Sequence, residues 1–323
     1  MRRREFITLI GGAATVWPLV ARAQNAAKIS TIGYMGAADA SLDREWIAAF
    51  VQRLDEKQGR TNTMISRWAE GDRQRYAEIL EEFVRLNVNV ILTYSTPAVL
   101  AAKQATSVIP IVFPAAGDPV ATGLVASLAH PGGNVTGLGF QTTDTASKRV
   151  QFLREVCLDL RRLAILYDPN DRGSSAELGV AQKAASELKL EIKTVGIQRM
   201  EELTGAVEAL KGEVGGLFVA TSPDLLARRD IIATSALGAR LPTVNSFRSY
   251  VDAGGLISYG ADFLRLWRQA ADMVDKVLRG TKPADIPSEQ PIKFELVVNL
   301  KTAKALGLTI SESFLVQADV IIE

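Results

Sequence analysis

A chain of 323 residues with 37 basic and 36 acidic side chains is close to neutral, which argues against a nucleic acid or an anionic membrane surface as partner. The single cysteine, Cys157, excludes an intramolecular disulfide, and the single histidine, His130, excludes any site needing two and leaves no His/Cys cluster for zinc. The length is long for one domain and points to two lobes.

The chain opens "MRRREFITLIGGAATVWPLVARAQ". Arg2, Arg3 and Arg4 form a basic head, Phe6 to Val20 carry no charge, and Ala21-Arg22-Ala23 has the small-x-small pattern of a cleavage site. An apolar run of roughly 15 residues is short against the ~20 that span a bilayer core, and Gly11, Gly12 and Pro18 weaken it as an anchor. Residues 1–23 therefore read as a signal peptide cleaved near Ala23-Gln24, leaving a protein that works outside the cytoplasm with no stable membrane anchor. Arg3-Arg4-Glu5-Phe6-Ile7 fits twin-arginine export, but three adjacent arginines serve the general secretory route equally well. Loss of this segment removes four arginines and one glutamate and turns a net charge of +1 into about −2.

Short β-branched runs then alternate with amphipathic stretches, the pattern of βα units around parallel sheets. "ISTIGYM", "TMISRW", "VNVILTY", "IPIVFPA" and "NVTGLGF" predict strands, separated by helices in "LDREWIAAFVQRLDEK", "RQRYAEILEEFVRL" and "PAVLAAKQAT". A second series begins with helix "TASKRVQFLREVC" and strand "RLAILYD", and continues through strands "LEIKTVGI", "GGLFVAT", "LPTVNS" and "GGLISYG". Helices "SSAELGVAQKAASELK" and "MEELTGAVEALK" intervene. The amphipathic helix "DFLRLWRQAADMVDKVLRG", the Pro-marked linker "TKPADIPSEQP" and the strand–helix "KFELVVNLKTAKALGL" complete existing lobes rather than build a third. The expected fold is α/β, with an N-terminal lobe of residues 28–142 plus about 260–285 and a C-terminal lobe of 143–259 plus about 286–323. The chain crosses between them near Phe140–Asp144, Tyr259–Asp262 and Ile286–Glu295, and several crossings make a hinge.

Ligands of open α/β sheets bind beyond the carboxyl ends of the strands. The first such loop, "GYMGAADASLD", has Gly33 and Gly36 for close backbone approach, with Ser41 or Asp43 as helix cap and no further role for Asp43. Tyr94-Ser95-Thr96-Pro97 offers hydroxyls and a helix start, with Thr96 as N-cap and Pro97 as first helical residue. That suits a small anion or a plain cap. Gly117-Asp118-Pro119 ends the next strand, and Asp118 is either a turn residue or a partner for an ammonium or sugar hydroxyl. In the second lobe Asp168-Pro169-Asn170 and Thr221-Ser222-Pro223-Asp224 repeat the design, and Asn245 ends a further strand. Tyr94, Tyr167, Phe247 and Tyr259 are the aromatics nearest these loops, where an aromatic is more often core than cleft; Trp68 is open to the same two readings. Nucleotide-loop and zinc-protease spacings are absent, Glu81-Glu82 and Glu201-Glu202 fall on solvated helix faces, and His130 sits in a turn.

"PIVFPAAGDPVATGLVASLAHPGGNVTG", "RWAEGD", "TPAVLAAKQAT", "GGLISYG" and "FELVVNLKTAKALGLTI" with the closing "ADVIIE" resemble the ABC-transporter substrate-binding proteins of the family that includes tryptophan- and tyrosine-binding members. The resemblance implies a type I periplasmic-binding-protein fold: two Rossmann-like parallel-sheet lobes, a multi-crossing hinge and closure around a small-molecule solute. It also implies delivery to an ABC permease with its ATPase, with no enzymatic activity and no cofactor. Carried onto this chain, Ser95 and Thr96 would hold an α-carboxylate and Asp118 an α-ammonium. The candidate ligand-binding set is Gly36, Tyr94, Ser95, Thr96, Gly117, Asp118, Asp168, Thr221, Ser222, Asn245 and Tyr259. An aromatic or branched-chain amino acid is the expected ligand, with another small carboxylate as the alternative. Two rival readings stay open here: a sensor as partner instead of a permease, and a secreted enzyme using Asp118, Asp168 and Asp224.

Overall fold

The computed structural model describes residues 29–57 and 62–323; the signal peptide expected at residues 1–23 lies outside them. The first sheet uses β1 (Ser30–Gly36), β2 (Asn62–Trp68), β3 (Val90–Thr93), β4 (Ile111–Ala116) and β5 (Val135–Gly139) in the order β2-β1-β3-β4-β5, all parallel. Parallel neighbours need crossovers, supplied by α1 (Ala40–Glu56), α2 (Arg75–Arg85) and α3 (Thr96–Ala105). Covered on both faces, β3, β4 and β5 are buried throughout, which is why they read as continuous apolar runs; β2, at the edge, is only half-buried.

The second sheet is built from β6 (Arg162–Tyr167), β7 (Glu191–Gly196), β8 (Gly216–Val219), β9 (Thr243–Asn245), β10 (Ile257–Ala261), β11 (Phe294–Asn299) and β12 (Val320–Ile322). Its order is β12-β11-β10-β9-β8-β6-β7, parallel except for the antiparallel β10–β11 pair. Around it lie α4 (Thr142–Val156), α5 (Arg172–Glu187), α6 (Leu203–Glu208), α7 (Pro223–Leu226), α8 (Arg229–Gly238) and α9 (Arg248–Asp252), with α11 (Leu300–Leu306) and α12 (Glu312–Leu315) near the end. The helix expected over "MEELTGAVEALK" is instead a 3-10 turn, Met200–Glu202, followed by the short α6. Helices α7, α8, α9 and α12 were not expected individually, being short or weakly patterned.

Among the described residues three segments cross between the lobes. Phe140-Gln141 joins β5 to α4, with Gln141 in the left-handed region at φ 52°. Asp262 joins β10 to α10 (Phe263–Leu278) and caps it by accepting from the Arg265 N–H. The third segment leads from α10 to β11 and touches the first sheet on the way: Gly139 N donates to Glu289 O at 2.8 Å, and Glu289 N donates to Gly137 O at 3.0 Å.

Helix α10 packs on α1 and lies against β4, although 124 residues separate Phe263 from the end of β5 at Gly139. Its Trp267 is fully buried and meets the rings of Tyr34, Trp46, Phe50 and Tyr94 at centroid distances of 5.7–6.4 Å. Aromatic pairs at such separations add about 0.5–1.5 kcal/mol each beyond burial. The second lobe has its own apolar cluster around Phe152, Leu163, Phe218, Val298 and Phe314.

Candidate functional site

The strand ends of the two sheets face each other across a cleft at the hinge. On the first lobe the wall starts at Ser95, a non-glycine residue at φ 74° and ψ 147°. Such a conformation is costly for a side chain and persists only when its surroundings hold it. Here Ser95 N donates to Ala115 O at 2.8 Å, tying the ends of β3 and β4 together, while its Oγ is buried beside the Tyr76 hydroxyl. Ser95, not Thr96, occupies the cap position of α3, and Pro97 is the second helical residue. Thr96 Oγ1 instead accepts from Gly117 N at 3.0 Å, and a Cβ on Gly117 would lie 3.1 Å from that oxygen. In the first turn of α3, Pro97 has no N–H, the Thr96 and Ala98 N–H groups have no intrahelical acceptor, and Thr96 lines the cleft.

The hinge supplies an apolar wall. Phe140, from the first crossing, stacks on Phe247 at 4.9 Å and 21°, and Phe263, from the second, meets both edge-on at 4.9 and 5.1 Å. All three border the cavity, with Leu226 beside them.

The second lobe contributes Thr142, Asp171, Gly173, Thr221, Ser222 and Pro223. Asp171 caps α5 by accepting from Ser174 N at 2.9 Å; burial pushes its carboxyl up, against the pull of Ser174 N–H and Arg73. Ser222 Oγ donates to Asp168 Oδ2 at 3.1 Å and accepts from Asp224 N and Leu225 N, capping α7. Thr221 is fixed twice, through its N–H to Glu177 Oε2 at 3.0 Å and through Oγ1 to Ser246 Oγ at 2.7 Å. Glu177 pairs with Arg149, both fully buried, and Arg149 donates to Thr142 O at 2.6 Å. One internal ion pair thus braces two cleft residues, Thr142 and Thr221. Among the described residues no group of three or more His, Cys, Asp or Glu is placed to hold a metal ion, and no helix is long and apolar enough to cross a membrane.

Residues 44–322 match the family described as ABC transporter substrate binding protein. The chain belongs to that family. As one of its members it is a non-catalytic solute-binding protein of the ABC-importer type, and membership implies a cognate permease with its ATPase and a place outside the cytoplasm. A tyrosine-binding protein of Clostridioides difficile is 28% identical over 264 residues, covering 80% of this chain and 75% of that one. The crystal structure of an ABC domain from Streptococcus pneumonia in complex with L-Trp superposes with a TM-score of 0.84 at 25% identity, over 91% of this chain and all of that one. A ligand-free, open substrate-binding protein with adhesive properties from Clostridium difficile gives a TM-score of 0.66 at 24% identity, over 91% and 99%.

Within this substrate-binding protein the expected ligand residues separate into two groups. Tyr94, Ser95, Thr96, Gly117, Thr221 and Ser222 line the cavity. Tyr94 presents its ring, because its hydroxyl turns inward to donate to Asp43 Oδ1 at 2.9 Å and accept from Ala38 N at 3.1 Å. Gly36, Asp118, Asp168, Asn245 and Tyr259 lie away from the cavity wall. Asp118 Oδ1 accepts from Val120 N and Ala121 N, both at 3.0 Å, as a turn residue beside a separate hollow. Asp168 is buried under Arg73, and Asn245 Oδ1 accepts from Phe247 N, which orients the ring wall. Tyr259 packs against Phe152 and Phe294 in the second lobe.

Gly36 serves a neighbouring cluster: a Cβ there would fall 2.3 Å from Asp43 Oδ2 and 2.4 Å from Trp68 Cδ1. Asp43 is not the helix cap; Asp39 is, accepting from Ser41 N and Leu42 N. Asp43 is fully buried and receives Tyr34 OH and Trp68 Nε1 on Oδ2 as well as Tyr94 OH on Oδ1. Burial raises its carboxyl to about 7 despite these donors. Phe140, Thr142, Asp171 and Phe263 also line the cavity, outside the set expected from the sequence. Asp171 alone had a local signal, standing at a helix start in "YDPND".

Proposed function

We propose that the cleft binds a free amino acid with an aromatic side chain and hands it to the permease. The observation that carries this reading is the make-up of the cavity lining, in which the stacked rings of Phe140, Phe247 and Phe263 occur together with the α3 start and Asp171. The rings would receive the side chain. Ser95, Thr96 and the α3 N–H groups would take the carboxylate, and Asp171 rather than Asp118 would take the ammonium, because Asp171 lines the cavity and Asp118 lines a neighbouring hollow. The names of two relatives, a tyrosine-binding protein and a complex with L-Trp, support the same class.

Closure would bring together residues 28–142 plus about 260–285 and residues 143–259 plus about 286–323, moving about the three crossings. The protein works in the periplasm after cleavage near Ala23-Gln24. Amino-terminal sequencing of exported protein tests this, and a chain still beginning at Met1 would refute it.

Thermal-shift screening over the amino acids and small carboxylates tests the ligand class. At 100 times its dissociation constant a ligand adds about 2.7 kcal/mol of stability, so L-tryptophan or L-tyrosine should raise the melting temperature and acidic or basic amino acids should not. Asp171→Asn keeps the helix cap, since Asn caps as well as Asp. It should weaken binding by roughly ten- to a hundredfold through loss of a charge-assisted bond. A response to sugars or dicarboxylates alone would sink the amino-acid reading, and an Asp171→Asn protein of unchanged affinity would remove Asp171 from the site.

A further inference from the structure

The lobes are also joined by charge. Arg73 sits in the loop between β2 and α2 on the first lobe. One of its terminal nitrogens lies 2.7 Å from Asp168 Oδ2, 3.4 Å from Asp224 Oδ2 and 3.7 Å from Asp171 Oδ2, and the other donates to Asn170 O at 2.8 Å. All four acceptors belong to the second lobe. In the opposite direction Arg229, at the start of α8, reaches Asp39 Oδ2 at 3.1 Å on the first lobe.

The three aspartates come from two strand ends of the second lobe, at β6 and β8, and Asp168 and Asp171 are almost wholly buried. If the lobes part, Asp168 keeps Asn170 N and Ser222 Oγ, and Asp171 keeps Ser174 N. Those partners are dipoles. The neighbouring cation that remains on the same lobe is Arg228, which acts on Asp224. Opening therefore takes the shared guanidinium away from three carboxylates that repel one another, and it breaks the Arg229–Asp39 pair at the same time. None of these contacts needs a solute.

We propose that Arg73, seconded by Arg229, is an electrostatic latch that favours the closed clamp before any solute has bound. A ligand that binds only the closed form has its apparent dissociation constant set by the closed fraction, so Arg73 and Arg229, which do not line the cavity, contribute to affinity without touching ligand. Coupling between close charges across an interface commonly exceeds a factor of ten in equilibrium constant. Removing Arg73 should accordingly shift the open-to-closed ratio by roughly tenfold or more.

Small-angle scattering on the ligand-free protein tests the latch and is independent of which solute the cleft takes. At about 0.01 M salt, where charges act over about 30 Å, wild type should have a smaller radius of gyration than Arg73→Gln. At about 1 M salt wild type should expand toward the variant, which itself should change little. Arg229→Gln, which removes the other crossing pair, should expand the protein in the same direction, so the test survives if one variant folds poorly. Equal low-salt radii for wild type and the folded variants would overturn the latch, as would a wild-type radius indifferent to salt.

Discussion

Asp43→Asn should flatten part of the protein's pH–stability curve. The carboxyl lies at about 7 in the folded protein because burial outweighs its three donors, against an ordinary value of 3.8. Below the ordinary value both folded and unfolded chains hold the proton, and Asp43 contributes its full stability. As pH rises above it, the unfolded chain releases the proton while the folded chain retains it. Stability then falls by about 1.4 kcal/mol per pH unit until the folded group also ionises near 7, for a total of about 4 kcal/mol. Asparagine imitates the protonated acid, one acceptor and one donor face, and cannot ionise. The Tyr94 hydroxyl, which already accepts from Ala38 N, can turn to meet it. Urea unfolding of both proteins at pH 5, 6, 7 and 8 gives the difference directly, cancelling the pH response of Asp171, Asp224 and Glu177. The Asp43→Asn protein should gain on wild type across that range and level off above about 7. Parallel curves would refute the claim that Asp43 is held neutral by its surroundings.

Gly36→Ala should destabilise by at least about 1–3 kcal/mol, since its Cβ has no room beside Asp43 and Trp68, and urea melts should show it. Arg149→Met strands Glu177 in the interior and should cost about 3–5 kcal/mol, whereas Arg149→Met with Glu177→Leu should recover most of it in the same melts. The double variant should nevertheless bind solute less tightly by titration calorimetry, because Thr142 O and Thr221 N lose their anchors. Phe247→Leu should weaken L-tryptophan binding about two- to tenfold, the size of one aromatic contact; unchanged affinity would place the indole elsewhere.

Two lobes, parallel sheets and several crossings were legible because buried parallel strands write continuous apolar runs, such as Val90-Ile91-Leu92, between amphipathic helices. Ser95, Thr96 and Thr221 were legible because strand ends that lead into helix starts converge on the cleft. Asp43 was not: Asp39, Ser41 and Asp43 are all good cap residues, and the choice was made by Tyr34, Trp68 and Tyr94, lying 9, 25 and 51 positions away. The ring wall escaped for a related reason, since Phe140 and Phe263 belong to different crossings and only the fold stacks them. Arg73 gave no local hint of partners 95 and more positions downstream.

Helix α10 has a consequence for the order in which the chain is made. A ribosome finishes the first sheet at Gly139, but Trp267, around which that lobe's aromatic residues gather, arrives 128 residues later. At about 5–20 residues per second that is several seconds or more. Throughout that interval the cluster of Tyr34, Trp46, Phe50 and Tyr94 lacks its central ring while strands of the other lobe are being synthesised. The first lobe, though begun first, closes its core only after β10 exists, and the second lobe still waits for β11 and β12. The two halves of the clamp should therefore mature almost together at the end of synthesis, rather than one after the other from the amino terminus.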